Sequence, residues 1–190
     1  MKKIFALLFL STILFTACEG DQGPPGFDGL PGPQGPAGDV ASVFEIDNVD
    51  FVSTNGTTAS IGVTIPNQIE VFESDVALVF VVDPIATADN NGVEVWEPLP
   101  RTFLFTDGGF AQFRYNFIFD DPSGIFDLEI ILESDNFTTL DTSFTQNQIF
   151  RIVIVPGIFA QNKNVDFNNM ENILSSLKLN ANDIVKFSLD

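Results

Sequence analysis

The chain contains no histidine, one cysteine, one tryptophan and one tyrosine, and only eight lysines and arginines stand against 26 acidic residues. Without histidine the commonest general base and the commonest metal ligand are missing. Ser-His-Asp and Cys-His catalysis and histidine-built zinc sites are therefore excluded. A single thiol cannot close a disulfide within the chain, so an exported domain must be held by its core alone. The shortage of positive charge opposes binding to nucleic acid, whose phosphates the chain repels, and docking on anionic lipid headgroups. No apolar run reaches the roughly 20 residues that a membrane-spanning helix needs. No phosphate-cradling glycine loop follows a strand, because the glycine-rich stretch carries proline where a nest needs backbone N–H groups.

What is present begins with an address. Lys2 and Lys3 precede the apolar run Ile4 to Phe15, and small residues lead to Cys18. This order reads as an export signal over residues 1–17 that is removed before folding. Directly after the cysteine, glycine falls at every third position: Gly20, Gly23, Gly26, Gly29, Gly32, Gly35 and Gly38. Seven Gly-X-Y triplets with five prolines at X or Y match a collagen repeat, in which only glycine fits the crowded axis of the triple helix. At a background glycine frequency of about 7%, that register is not accidental. Two readings of the stalk, residues 18–41, stand side by side. One is a homotrimer, in which Asp21, Asp28 and Asp39 meet their copies with no lysine or arginine to offset them. The other is a single-chain polyproline II arm, on the order of 65 Å long if extended.

From Ser42 onward the composition is that of a folded domain. Hydrophobic residues make up 45% of the chain and 21 residues are Phe, too apolar for a disordered acidic protein. Period-two alternation predicts strands at Ala111 to Phe119, Phe126 to Leu132 and Ala59 to Ile65. Val76 to Val82 and Ile149 to Val155 are apolar on both faces, the second broken by Arg151, and Val76 to Val82 reads as a central strand. Shorter candidates are Val43 to Ile46, Val49 to Ser53 and Val93 to Phe105, the last interrupted by Pro98 and Pro100. Turn residues separate these runs at Asn55-Gly56, Asp89 to Gly92, Asp107 to Gly109 and Asp120 to Gly124,. A hairpin from Phe110 to Glu133 is the clearest element. The expectation is a mainly β domain over residues 42–190, a two-sheet sandwich of immunoglobulin-like architecture.

The tail changes period. Phe167, Met170, Ile173, Leu174 and Leu177 recur at helical spacing, which predicts one C-terminal helix over about 167–178, with Asn168 and Glu171 as a capping pair,. That helix is expected to close an open edge or end of the sandwich. Ile184 to Leu189 reads as a short strand.

Few residues invite chemistry, and no catalytic or cofactor-binding residue is singled out. Asp120, Asp121 and Glu133 are the candidates for a carboxylate pair, as glycoside hydrolysis uses, but a solvated turn and strand face explain them as well. Asp89, Asn90, Asn91, Asp107, Asp120 and Asp121 could offer oxygen ligands to calcium,. Turn formation is the simpler account of the same residues, so no metal ligand or cofactor is assigned. Tyr115 falls on the apolar side of its strand, which predicts a core role, while Trp96 is left open between core and sugar-stacking surface. Phe110 and Phe137, if they face solvent, mark a protein-binding patch.

Phe15-Thr16-Ala17-Cys18 resembles a bacterial lipobox, at which a signal peptidase cuts before a lipid-bearing cysteine. Signal, lipobox and Gly-X-Y repeat followed by a β-rich domain resemble the collagen-like lipoproteins of Gram-negative envelopes. The likeness rests on residues 1–40 and implies lipid attachment at Cys18, with the seven glycines as the stalk. It also implies outer-membrane localisation; Glu19 and Asp21 resemble surface-export signals of some lipoproteins, and a periplasm-facing orientation stands as the alternative to surface exposure. The expected role is a non-catalytic display domain in adhesion or envelope organisation, with an unassigned protein or glycan partner. The alternative is a glycan- or calcium-binding module for nutrient capture.

Overall fold

The computed structural model describes residues 41–120, 125–161 and 165–188, all within the unit Gly35–Asp190. The export signal, Cys18, the seven repeat glycines and the turn at 121–124 lie outside the described residues. The domain is mainly β and is built from two sheets. One has five strands in the order β4 (Trp96–Pro98), β3 (Val76–Val82), β8 (Gln148–Val155), β1 (Ser42–Val49) and β9 (Val185–Ser188). The other has four, in the order β2 (Thr58–Val63), β7 (Ile125–Ser134), β6 (Phe110–Asp120) and β5 (Arg101–Leu104).

The sheets pack face to face. Phe44 and Ile46 of β1, Ala77, Val79 and Val81 of β3, and Phe150, Ile152 and Ile154 of β8 meet Ala59 and Val63 of β2, Ala111 and Phe113 of β6, and Leu128, Ile130 and Leu132 of β7. Spacing of two places each set on one pleated face. With no disulfide to assist, aromatic packing carries much of this core. Phe113 lies 5.8 Å from Phe51, 5.7 Å from Phe150 and 6.4 Å from Phe103, and Phe144 lies 5.0 Å from Phe103, all tilted or edge-to-face,. Tyr115 reaches across the same layer, its hydroxyl donating to the Ala77 carbonyl at 2.8 Å.

A second core covers the outer face of the five-stranded sheet. Val43, Phe80, Val153 and Val155 from the sheet are buried with Val165, Met170 and Ile173, and Trp96, Phe159, Phe167 and Leu177 pack around them. This explains the two uniformly apolar runs. β3 and β8 are interior strands covered on both faces, as continuous apolar strands require. The predicted central position of Val76 to Val82 holds, since β3 lies between β4 and β8.

Several expectations are corrected. Four helices are described rather than one: α1 (Pro84–Asp89), α2 (Thr142–Thr145), α3 (Gly157–Ala160) and α4 (Met170–Ser176). The C-terminal helix α4 is shorter than 167–178 and starts from Asn169, whose side chain accepts from the Asn172 N–H at 2.9 Å. Asn168 and Glu171 do not form the cap. Nor does α4 close an edge: it lies on the outer face, and β9 takes the edge by pairing parallel with β1. Val43 to Ile46 and Val49 to Ser53 are not two strands. A single β1 runs through an irregularity between Ile46 and Val49, where Asn48 has φ 53°. Val93 to Phe105 divides at Pro98 to Pro100 so that β4 joins one sheet and β5 the other. The hairpin β6–β7 is as expected, in continuous register from Ala111↔Ser134 to Asp120↔Ile125.

Candidate functional site

The residues singled out for chemistry do not converge. Asp120 stands at the turn end of the β6–β7 hairpin, whereas Glu133 pairs with Gln112 near the other end. Glu133 accepts from Arg114 at 2.6 Å instead. Asp107 accepts from the Gly109 N–H at 3.0 Å inside its turn, and Asp89 to Asn91 are exposed at the end of α1. A small cavity of about 160 Å³ gathers Asp107, Asp135, Asn136 and Asp141. Their oxygens serve backbone N–H groups of Gly109, Phe110, Thr138 and Ser143. At Asp141 that donation from Ser143 holds the carboxyl below the usual carboxylate range,. Among the described residues, no group of three or more Asp, Glu or Cys side chains is placed to hold a metal ion. Phe110 and Phe137 are half-buried.

Trp96 and Arg151 have a defined place. Lys186, Glu45, Arg151 and Phe80 face one another across β9, β1, β8 and β3 in a single rung. Glu45 accepts from Lys186 at 2.5 Å on one oxygen and from Arg151 at 2.5 Å on the other. The Arg151 guanidinium lies 4.0 Å from the centre of the Trp96 ring, a cation–π contact. Burial raises the Glu45 carboxyl, but hydrogen bonds from Lys186 and Arg151, together with their charges, outweigh it and hold it below the usual range,. This rung settles Trp96 in a packing role. A second charged contact, Asp83 with Arg101 at 2.9 Å, ties α1 to β5. Asp83 is buried and also caps α1 through the N–H groups of Ile85 and Ala86.

The feature that sequence reasoning missed is a groove of about 840 Å³ on the solvent side of the four-stranded sheet. Inward positions on β6 and β7 are apolar, so Asn116 and Ile118 of β6 and Asp127 and Glu129 of β7 project outward. They form two adjacent rungs, Asn116↔Glu129 and Ile118↔Asp127. Gly62 of β2 stands opposite Glu129, and a Cβ there would meet nothing within 4 Å. The chain from Thr64 to Val71 turns at Pro66, whose carbonyl accepts from the Ile69 N–H at 2.8 Å, and forms the wall. Asn116 donates to Glu129 at 3.2 Å. Among the described residues the lining includes no lysine, no arginine and no aromatic side chain. The one signal of it in the sequence is Ile118, an apolar residue at an outward position otherwise held by Gln112, Arg114 and Asn116. The groove can accept hydrogen bonds and attract cations.

Among the described residues no helix is long and apolar enough to cross a membrane. Comparison with known proteins finds no matching family model, no matching curated protein and no matching solved structure.

Proposed function

We propose that the protein is a lipid-anchored component of the bacterial outer membrane. It presents its two-sheet domain, an immunoglobulin-like sandwich on this reading, at the end of a collagen-like arm. Its role is adhesion or envelope organisation, without catalysis. The observation that carries the proposal is the sole cysteine at the end of an export-type segment, followed at once by the register Gly20 to Gly38. Two or three acyl chains on Cys18 make a stable anchor, since each buried CH₂ contributes about 0.8 kcal/mol and one chain alone holds only marginally. The strongly acidic composition adds nothing to adhesion on anionic lipid, so the acyl chains bear the attachment.

The domain suits display. The solvent face of its four-stranded sheet carries polar pairs in which Gln112 donates to Thr102 at 2.7 Å and Arg114 to Glu133 at 2.6 Å. The stalk either associates as a homotrimer or acts as a spacer; sedimentation of the full chain in detergent distinguishes the two. The functional proposal is tested by fractionation and protease shaving of intact cells. The chain is expected in the outer-membrane fraction and accessible to protease from outside. Recovery of wild-type protein as a soluble product in the medium contradicts it.

A further inference from the structure

We infer that the groove beside β2 docks a basic segment of a partner protein, taking a lysine or arginine side chain between Asp127 and Glu129. The two carboxylates project from the same face of β7, two residues apart, at the floor of the groove. Among the described residues Asp127 has no hydrogen-bond or ion-pair partner, and Glu129 has only the Asn116 amide as hydrogen-bond partner, on Oε2. The nearest arginine on this face, Arg114, is bonded to Glu133 at 2.6 Å and shares its charge with Glu129, but it makes no ion pair with Asp127. A cation is therefore the complement that the groove lacks.

The walls decide which kind of cation. Ile118 on the groove floor is 55% exposed, and Ile65, Ile69 and Val71 line the opposite wall. Lysine and arginine lay an apolar stem on such surface while the charged head reaches the carboxylates. A neutral glycan is less well matched, because the described residues of the lining pair two carboxylates with aliphatic walls. An open groove of about 840 Å³ admits several side chains of one extended segment. The net charge of −18 steers a basic partner towards the domain. This supplies a partner chemistry for the display role proposed above. Its test is independent of the anchor, since Cys18→Ala leaves the groove unaltered.

The test is fluorescence anisotropy of the full chain in detergent at low salt. The probes are three labelled peptides in which valine alternates with lysine, serine or glutamate. The lysine peptide is expected to bind saturably and the other two to bind at least about tenfold more weakly. Asp127→Asn should weaken lysine-peptide binding roughly threefold, and Asp127→Asn combined with Glu129→Gln roughly tenfold. Gly62→Val, whose side chain enters open space, should block binding without loss of stability. Glu171→Gln, on exposed α4 surface across the molecule, should leave it unchanged. No saturable binding, equal binding of the serine peptide, or equal weakening by Glu171→Gln overturns the inference.

Discussion

The single rung Lys186–Glu45–Arg151 concentrates most of the domain's electrostatic risk at three side chains. Glu45 is 6% exposed, Arg151 12% and Lys186 63%. Removing one partner of a buried pair leaves the other charge uncompensated, at a cost of about 3–5 kcal/mol. Arg151→Met should therefore destabilise by about 3 kcal/mol in urea unfolding. Lys186→Met, which removes a mostly solvated partner, should cost about 1 kcal/mol or less. Equal losses would contradict this division. The Glu45 carboxyl lies below its unfolded value of 4.5, so its stabilisation is present above that pH and is lost as the pH falls through the native value. In Glu45→Gln this part of the acid-induced loss should disappear. Tyr115 runs the opposite way. Burial raises its phenol above 10.0, so its contribution holds below that pH and is lost as the pH climbs through the folded value. As the only tyrosine, it gives an uncluttered ultraviolet titration, and a midpoint at or below 10.0 would contradict its placement against Ala77.

At the scale of elements, alternation was legible wherever one face meets water. The β6–β7 hairpin needed only Phe113, Tyr115 and Phe117 set against Gln112, Arg114 and Asn116. The runs in β3 and β8 announced double burial, yet what buries them was not legible. The same apolar stripe on α4 fits an edge, an end or a face, and only the three-dimensional placement of residues 165–184 chooses the face. Arg151 read as an interruption of its strand because Glu45 lies more than a hundred residues away in sequence. The short helices escaped detection because each is only four to six residues long, too short for a stripe, and Asp83 and Asp141 cap two of them locally. The groove was hidden for a similar reason, since its wall, floor and edge come from three separate segments. Two substitutions test the outer layer. Ile173 is fully buried, so Ile173→Ala should cost about 3 kcal/mol. A Cβ on Gly157 would lie 2.3 Å from the Ser74 carbonyl oxygen, so Gly157→Ala should cost about 2 kcal/mol. Stability unchanged in either variant would place the segment off the sheet.

For the whole molecule, charge, tether and fold point the same way. A chain with 26 acidic and eight basic residues repels anionic surfaces, so on the proposed reading fatty acids at Cys18 are the component that retains it at the membrane. The domain is stabilised by two apolar layers on either side of the five-stranded sheet rather than by disulfides. The most direct test is mass spectrometry of the amino-terminal peptide of the protein isolated from cells. Cleavage before Cys18, with diacylglycerol on its sulfur, is the predicted result. An unmodified Cys18, or a chain that still begins at Met1, would contradict the anchored reading.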